Sequence, residues 1–307
     1  MPSFTIRQFK NYAVKELEGF SVSPELDVQV FLQHAFNFDK THLLLASDEI
    51  IPKKHLLWLK EAVNKRKTGL PVAYITGIKE FYGYEFIVSP DVLIPKPDTE
   101  ILVDHAVRQI MDKIRRTERI LCICDMCTGS GCIAVSVLKT LSEKYKVEDE
   151  ALPVFTLADI SEKALEVARK NTTNVLKTPS LLQKIRFIRS NLFENVTGSF
   201  DFIITNPPYI PHSMVVELLK DGRNEPPLAL DGDVTLEGEL TSKDDGMEVI
   251  RNLIEQSTVY LSPGGTVLME TGEYNAGKTS DFARKYGFKT AVYKDLEGQP
   301  RVVEMKL

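Results

Sequence analysis

Residues 121–135 read LCICDMCTGSGCIAV, and the fold turns on the change of character halfway along this stretch. An apolar, β-prone run ends at Asp125 and Met126, a turn containing Gly129 and Gly131 follows, and the apolar pattern CIAVSVLKTLSEKY then takes on helical spacing. Glycine allows a tight turn and close approach of main chain to a ligand, and the first turn of the helix behind it offers free N–H groups. The loop alone leaves several readings open. Gly129-x-Gly131-x-x-Ala134 also fits the dinucleotide pattern, and a glycine pair can be a plain strand-to-helix turn.

Downstream, strands and helices alternate. PVFTLADI reads as a strand and SEKALEVARKNTTNVL as a helix capped by Ser161. KIRFIRSNLF and FDFIITN are further strands, followed by the helix MEVIRNLIEQSTVYL and the strand GTVLMETG. A helix at 276–286 and strands near 288–293 and 301–306 complete the order. The alternation predicts a parallel α/β sheet, with the last two strands forming an antiparallel hairpin at one edge. Asp159, ending its strand, can accept both hydroxyls of a ribose, which suits NAD and S-adenosylmethionine equally. The plainer alternative is an Asp that caps the next helix.

Upstream, residues 1–72 read as a small helical domain. Phe4, Phe9, Tyr12, Ala13 and Leu17 recur near helical spacing. Ser23-Pro24 starts a helix whose face is expected to be Leu26, Val30, Phe31 and Ala35, and Pro52 opens another that ends at Gly69. Residues 73–98, rich in Tyr, Phe, Val and Ile, read as a β-hairpin linker, and 99–307 as the α/β domain.

With 307 residues, 38 Lys+Arg against 43 Asp+Glu and 43% hydrophobic residues, the chain is ordinary for a globular protein, which disfavours disorder or coiled coil. The mild acidity argues against broad capture of nucleic acid. No apolar run is long enough for a membrane span, and the first twenty residues lack a signal-peptide core, so a cytoplasmic location is expected. The cysteines Cys122, Cys124, Cys127 and Cys132 crowd together, but C-x-C-x2-C-x4-C is not a zinc spacing, and no metal is expected.

Asn206-Pro207-Pro208-Tyr209 decides the chemistry. Two prolines fix a stiff turn directly after the strand FDFIIT, at the end of a sheet where α/β folds bind ligands. The lone pair of an amide or aromatic NH2 is delocalised. The Asn206 side-chain oxygen can accept one of its N–H groups and the Pro207 carbonyl the other, orienting the nitrogen and favouring the charge that grows on it. Tyr209 can stack on the planar group. A sulfonium methyl is the natural electrophile, so the glycine loop and this turn together indicate S-adenosylmethionine-dependent N-methyl transfer.

The motifs PVAYITG (71–77), KEFYG (79–83), VSPDVLIPKPDTE (88–100), DMCTGSGCIAV (125–135), NPPYIP (206–211), EPPLAL (225–230), DDG (244–246) and GQPRVVE (298–304) run the length of the chain. It resembles the peptide chain release factor glutamine methyltransferases, the HemK/PrmC family. The resemblance implies a Rossmann-like class I S-adenosylmethionine methyltransferase domain joined by a β-hairpin linker to a helical substrate-docking domain. It implies N5-methylation of the glutamine amide in the Gly-Gly-Gln loop of class I release factors, with no stable binding of nucleic acid and none of membrane. Cofactor contacts are implied at Asp125, Cys127, Thr128, Gly129, Ser130, Gly131, Asp159, Asn191 and Asn206. Asn206, Pro207, Pro208 and Tyr209 are implied as substrate contacts, with Asn206, Pro207 and Tyr209 catalytic.

The chain departs from the family at four points. Lys96 replaces an Arg, which keeps the charge but loses the planar fork. Asn191 stands where Asp is common, near the expected adenine edge. Met126-Cys127 replaces the commoner Leu-Gly, a change that is tolerable if residue 127 has a negative φ. About ten extra residues, around 233–243, lie in an acidic stretch that reads either as a solvated loop or as a lid that contacts basic parts of the release factor. A DNA adenine N6-methyltransferase uses the same fork on a flipped base, and a non-catalytic S-adenosylmethionine-binding adaptor is a further alternative.

Overall fold

Residues 4–307 are described by the computed structural model, and they divide into two units. The first runs to Ile78 and takes in Leu218–Asn224. It contains helices α1 (Ile6–Leu17), α2 (Pro24–Phe36), α3 (Lys40–Leu45), α4 (Lys53–Lys67) and α5 (Val72–Thr76). Thr5 and Gln8 form a capping box at the start of α1, which buries Phe9, Ala13 and Leu17. The face of α2 differs from expectation: Val28, Phe31 and Leu32 are buried, while Leu26 is 57% exposed. The cause is Asp27, which periodicity counts as a surface residue. It is buried because Arg66 Nε and Ser21 Oγ each donate to it at 2.7 Å, and this turns the helix. Helix α3 was not anticipated; six residues are too few to show a period, and the Asp39 side chain caps it by accepting from His42 N. Residues 73–76, expected to start the linker, are helical as part of α5, which lies between Pro71 and the left-handed Gly77.

The return of 218–224 to this unit is invisible to local pattern. It rests on two glycines: a Cβ at Gly69 would stand 1.9 Å from the Asp221 carbonyl oxygen, and one at Gly222 2.0 Å from that of Thr68.

The second unit begins at Lys79, within β1 (Ile78–Phe81), which pairs with β2 (Tyr84–Ile87) as a two-stranded sheet. Tyr82 and Gly83 between them both have positive φ, 53° and 77°, the turn that matches strand twist in a two-residue hairpin. The remaining elements are α6 (Glu100–Ile114), β3 (Cys122–Met126), α7 (Cys132–Glu143), β4 (Val154–Asp159), α8 (Glu162–Leu176), α9 (Pro179–Leu182), β5 (Ile185–Arg189), β6 (Phe200–Thr205), α10 (His212–Leu218, whose last residue belongs to the first unit), α11 (Glu248–Tyr260), β7 (Leu261–Glu270), α12 (Ala276–Lys285), β8 (Lys289–Lys294) and β9 (Pro300–Lys306).

Seven strands form one sheet in the order β5-β4-β3-β6-β7-β9-β8. All pairings are parallel except β7–β9 and β8–β9. This is the Rossmann-like class I methyltransferase arrangement, with the antiparallel hairpin at its edge. Alternate residues of each strand enter opposite cores. Ile123, Phe155, Phe202 and Leu268 pack with α6 and α7, whereas Cys124, Ile203, Val267 and Met305 pack with α11.

Asp201 in β6 is fully buried. It accepts from Cys122 N at 3.0 Å and from Arg119 Nη1 at 2.7 Å, with Lys113 Nζ at 3.1 Å. Burial pushes its pKa up, but the Arg119 guanidinium, the Cys122 N–H and Lys113 outweigh that and hold it below the ordinary carboxylate value. A depressed pKa stabilises the fold above the unfolded value and loses that contribution as pH falls. Asp201→Ala should therefore cost about 3 kcal/mol in urea unfolding at neutral pH, with the deficit narrowing below about pH 4.

Candidate active site

The β3–β6 pair is where the chain reverses its direction of winding, and it aligns Met126 with Thr205. The glycine loop and the Asn-Pro-Pro-Tyr turn therefore leave the sheet side by side, in the crevice where open α/β sheets bind ligands. A cavity of about 310 Å³ lies there. Of the expected cofactor contacts, Cys127, Thr128, Gly129, Ser130, Asp159, Asn191 and Asn206 line it, joined by Pro208 of the expected substrate contacts. The size suits a small-molecule site. Among the described residues, no cluster of three or more His, Cys, Asp or Glu is arranged for a metal, and the four cysteines are free thiols.

The loop is held from beneath. Asp125 is fully buried and does not line the cavity; its Oδ2 accepts from the Thr128 hydroxyl at 2.8 Å and from Ala134 N at 3.2 Å. It thus acts on the loop, not on the cavity's contents. Burial pushes its pKa up to about 7, against the Thr128 and Ala134 hydrogen bonds. Gly131 is also away from the cavity: its φ is +77°, and a Cβ there would sit 3.2 Å from Ala168 Cβ. Gly129 differs, since a Cβ would meet nothing within 4 Å and its φ of +54° is what calls for glycine. Cys127 has φ 59°, so the condition under which the loss of glycine there would be free of strain, a negative φ, is not met. The tight exit from β3 demands the left-handed region, and a non-glycine residue occupies it under strain.

Asp159 ends β4 with both carboxylate oxygens engaged, Oδ2 by Gly129 N at 2.8 Å and Oδ1 by Ser161 N at 2.9 Å. It therefore binds the loop to the neighbouring strand and still lines the cavity, while Ser161 caps α8. Burial raises its pKa, and the Ser161 and Gly129 N–H groups oppose the rise. Asn171 of α8, not singled out in the sequence, donates to the carbonyls of Ser130 and Ile87, both at 2.9 Å.

On the other side, Asn206 Nδ2 donates to Thr99 Oγ1 at 3.2 Å, which leaves Oδ1 as the acceptor on the cavity wall. Thr99 was missed by sequence reading, because its partner lies 107 positions away. Pro207 is buried and, with Tyr209, is absent from the cavity lining. The Tyr209 hydroxyl instead reaches Glu270 Oε1 at 3.5 Å. Its backbone is pinned: the carbonyl accepts from Tyr274 Oη and Asn275 Nδ2, both at 3.2 Å, and a Cβ at Gly246 would lie 2.1 Å from that oxygen. The glycine of the DDG motif is thus needed for close approach to the Asn-Pro-Pro-Tyr turn. Lys96 Nζ pairs with the buried Glu225 Oε1 at 2.6 Å, and this joins the 88–100 segment to the EPPLAL segment beside the cavity.

Glu270, at the end of β7, is 1% exposed. Burial pushes its pKa up to about 7, against the Thr99 hydroxyl and the Arg301 charge, with Asp98 raising it further. A raised carboxyl pKa stabilises the fold fully below the unfolded value, and the contribution is lost as pH climbs to the folded one. Glu270→Gln should accordingly match the parent near pH 4.5 and exceed its unfolding free energy by up to about 3 kcal/mol at pH 8, read from denaturation curves at several pH values.

Comparison with known proteins adds the lineage. The family model described as PrmC N-terminal domain matches residues 8–77, and that described as Methyltransferase small domain matches 99–222. A release factor glutamine methyltransferase of Koribacter versatilis is 34% identical, with 97% of each chain covered. A bifunctional methyltransferase of Rickettsia typhi is 32% identical over 98% of this chain but 57% of its own length, so the chain spans little more than half of that relative. A solved structure of a release factor-specific protein-(glutamine-N5) methyltransferase from Alicyclobacillus acidocaldarius is 26% identical, covers 72% of this chain and 98% of its own, and has a TM-score of 0.38, which adds nothing to the topology already described. Identity of this extent, over nearly the full length of both chains in the Koribacter case, places the chain in the release factor glutamine methyltransferase family.

Proposed function

We propose that the chain transfers a methyl group from S-adenosylmethionine to the side-chain amide nitrogen of the glutamine in the Gly-Gly-Gln loop of class I peptide chain release factors, in the cytoplasm. The observation that carries this reading is the held orientation of Asn206 on the wall of a cavity shared with the glycine loop. The residues present fit the cofactor. The strand ends of β3, β4 and β5 contribute in turn a glycine loop, a carboxylate and an amide to one cavity, and Gly129 leaves its Cβ position open. Gly129 and Ser130 cradle the amino-acid end, Asp159 holds the ribose, and Asn191 lies at the base end. When bound, S-adenosylmethionine supplies the sulfonium methyl.

Thr99 fixes the Asn206 amide so that Oδ1 accepts one glutamine N–H, and the Pro207 carbonyl accepts the second. Two acceptors hold the nitrogen in line and stabilise its developing positive charge, so no base need act before attack. The prolines keep the turn from relaxing, and Tyr209 maintains it through its pinned carbonyl. No helix among the described residues is long and apolar enough to cross a membrane.

Asn206→Ala should lower kcat/KM by roughly 10²–10³-fold while S-adenosylhomocysteine affinity changes less than about twofold. Asp159→Ala, which removes the ribose acceptor together with the Gly129 tie, should weaken that affinity by at least about tenfold in calorimetry. With radiolabelled S-adenosylmethionine, label should enter a class I release factor and be absent from the same factor with its Gly-Gly-Gln glutamine changed to alanine. Label on duplex DNA instead would overturn the substrate assignment.

A further inference from the structure

The insertion around 233–243 is a fixed hairpin. Val234 bridges Leu240 in antiparallel fashion, Thr235 N donates to the Glu239 carbonyl at 2.7 Å, and Gly238 N to that of Thr235 at 3.0 Å. Its base is clamped by Asp233, 1% exposed, whose carboxylate accepts from Gly246 N at 2.8 Å and His212 N at 3.1 Å. The hairpin faces the cavity already described: Val234, Thr235, Leu236 and Gly238 line it. Asn191 Nδ2 donates to the Leu236 carbonyl at 2.7 Å, tying the hairpin to the end of β5 across 45 positions. Leu236 is 37% exposed and is an apolar side chain beside an open cavity.

Position along the sheet identifies what Leu236 meets. The order β3, β4, β5 places the glycine loop, Asp159 and Asn191 in sequence. If Asp159 holds the ribose, the base lies one strand further out, beside Asn191. A purine ring has two apolar faces that need covering, and the hairpin offers branched aliphatic side chains there. We propose that residues 234–240 form the outer wall of the nucleoside subsite, with Leu236 against the adenine ring, and that Asn191 is a positioning residue that pins this wall by its N–H donor. The inference rests on the S-adenosylmethionine reading and gives the insertion a cofactor role in place of a release-factor contact.

The amide matters for its donor. Asp at 191 has none, and it would set a carboxylate against the Leu236 carbonyl. The test measures the Kd and dissociation rate of S-adenosylhomocysteine for the full chain, Asn191→Asp, Leu236→Ala, and a chain with 234–243 replaced by Gly-Gly, alone and with Asn191→Asp. Leu236→Ala and the replacement should each raise Kd roughly tenfold, mainly through faster dissociation. Asn191→Asp should cost roughly tenfold in the full chain and less than about twofold once the hairpin is gone, because the penalty requires the Leu236 carbonyl. Melting of the ligand-free proteins should be nearly unchanged, which a merely structural role would not allow. An unchanged Kd on removing the hairpin, or an equal Asn191→Asp penalty in both backgrounds, overturns the wall. A rise in KM for the release factor with unchanged nucleoside affinity makes the insertion a docking element and overturns it too. Failure of the full chain to bind S-adenosylhomocysteine at all refutes the underlying cofactor assignment and the wall with it.

Discussion

The parallel pairing of β3 with β6 is the constraint on which the rest of the site depends. It joins Met126 to Thr205 in register, and one residue later on each strand the chain departs into the glycine loop and the Asn-Pro-Pro-Tyr turn. A slip of a single residue would exchange the faces of β6 and send Phe202 and Ile204 out of one core while moving Asn206 off the cavity wall. Asp201 resists that slip, because its carboxylate is fastened to Cys122 N, on the opposing strand, and to Arg119 and Lys113.

Buried or half-buried carboxylates recur as the means of fixing loops here, and each works by collecting donors that a flexible segment would otherwise offer to water. Asp125 gathers Thr128 and Ala134, Asp159 gathers Gly129 and Ser161, and Asp233 gathers His212 and Gly246. Main-chain donors cannot move far without leaving a buried charge unsatisfied, so each carboxylate converts a mobile segment into a rigid wall. Asp125 and Glu270 each keep one oxygen, Oδ1 and Oε2, without a partner, and burial raises the pKa of both to about 7.

The strand order of the α/β domain, its longer helices and the edge hairpin were legible because each carries its own period, whereas α3, α9 and α10 are too short to show one, and the motifs stood at the strand ends where the sheet topology then gathered them. What escaped was determined at a distance. Thr99 meets Asn206 across 107 positions and Asn171 reaches back 84 to Ile87, and neither leaves a local trace. The buried face of α2 was misread because Asp27 follows its ion partner Arg66 inward. The sign of φ at Cys127 was set by the exit from β3, not by the residue type, which prefers the other region. The acidic composition of the insertion gave no sign that Val234, Thr235, Leu236 and Gly238 would line the cavity.

The switch-point pairing also bears on the order in which the molecule assembles. Cys122 and Asp201, bonded across β3 and β6, stand 79 positions apart, whereas Phe155 of β4 meets Ile185 of β5 after only a helical crossover. Loop-closure entropy makes the distant contact the harder one to form. The β3-β4-β5 half can therefore zip together as a platform that carries the glycine loop while β6 is still unpaired. The Asn-Pro-Pro-Tyr turn depends on the longer of these closures, so a chain in which β6 had not paired would present the glycine loop with no opposite wall.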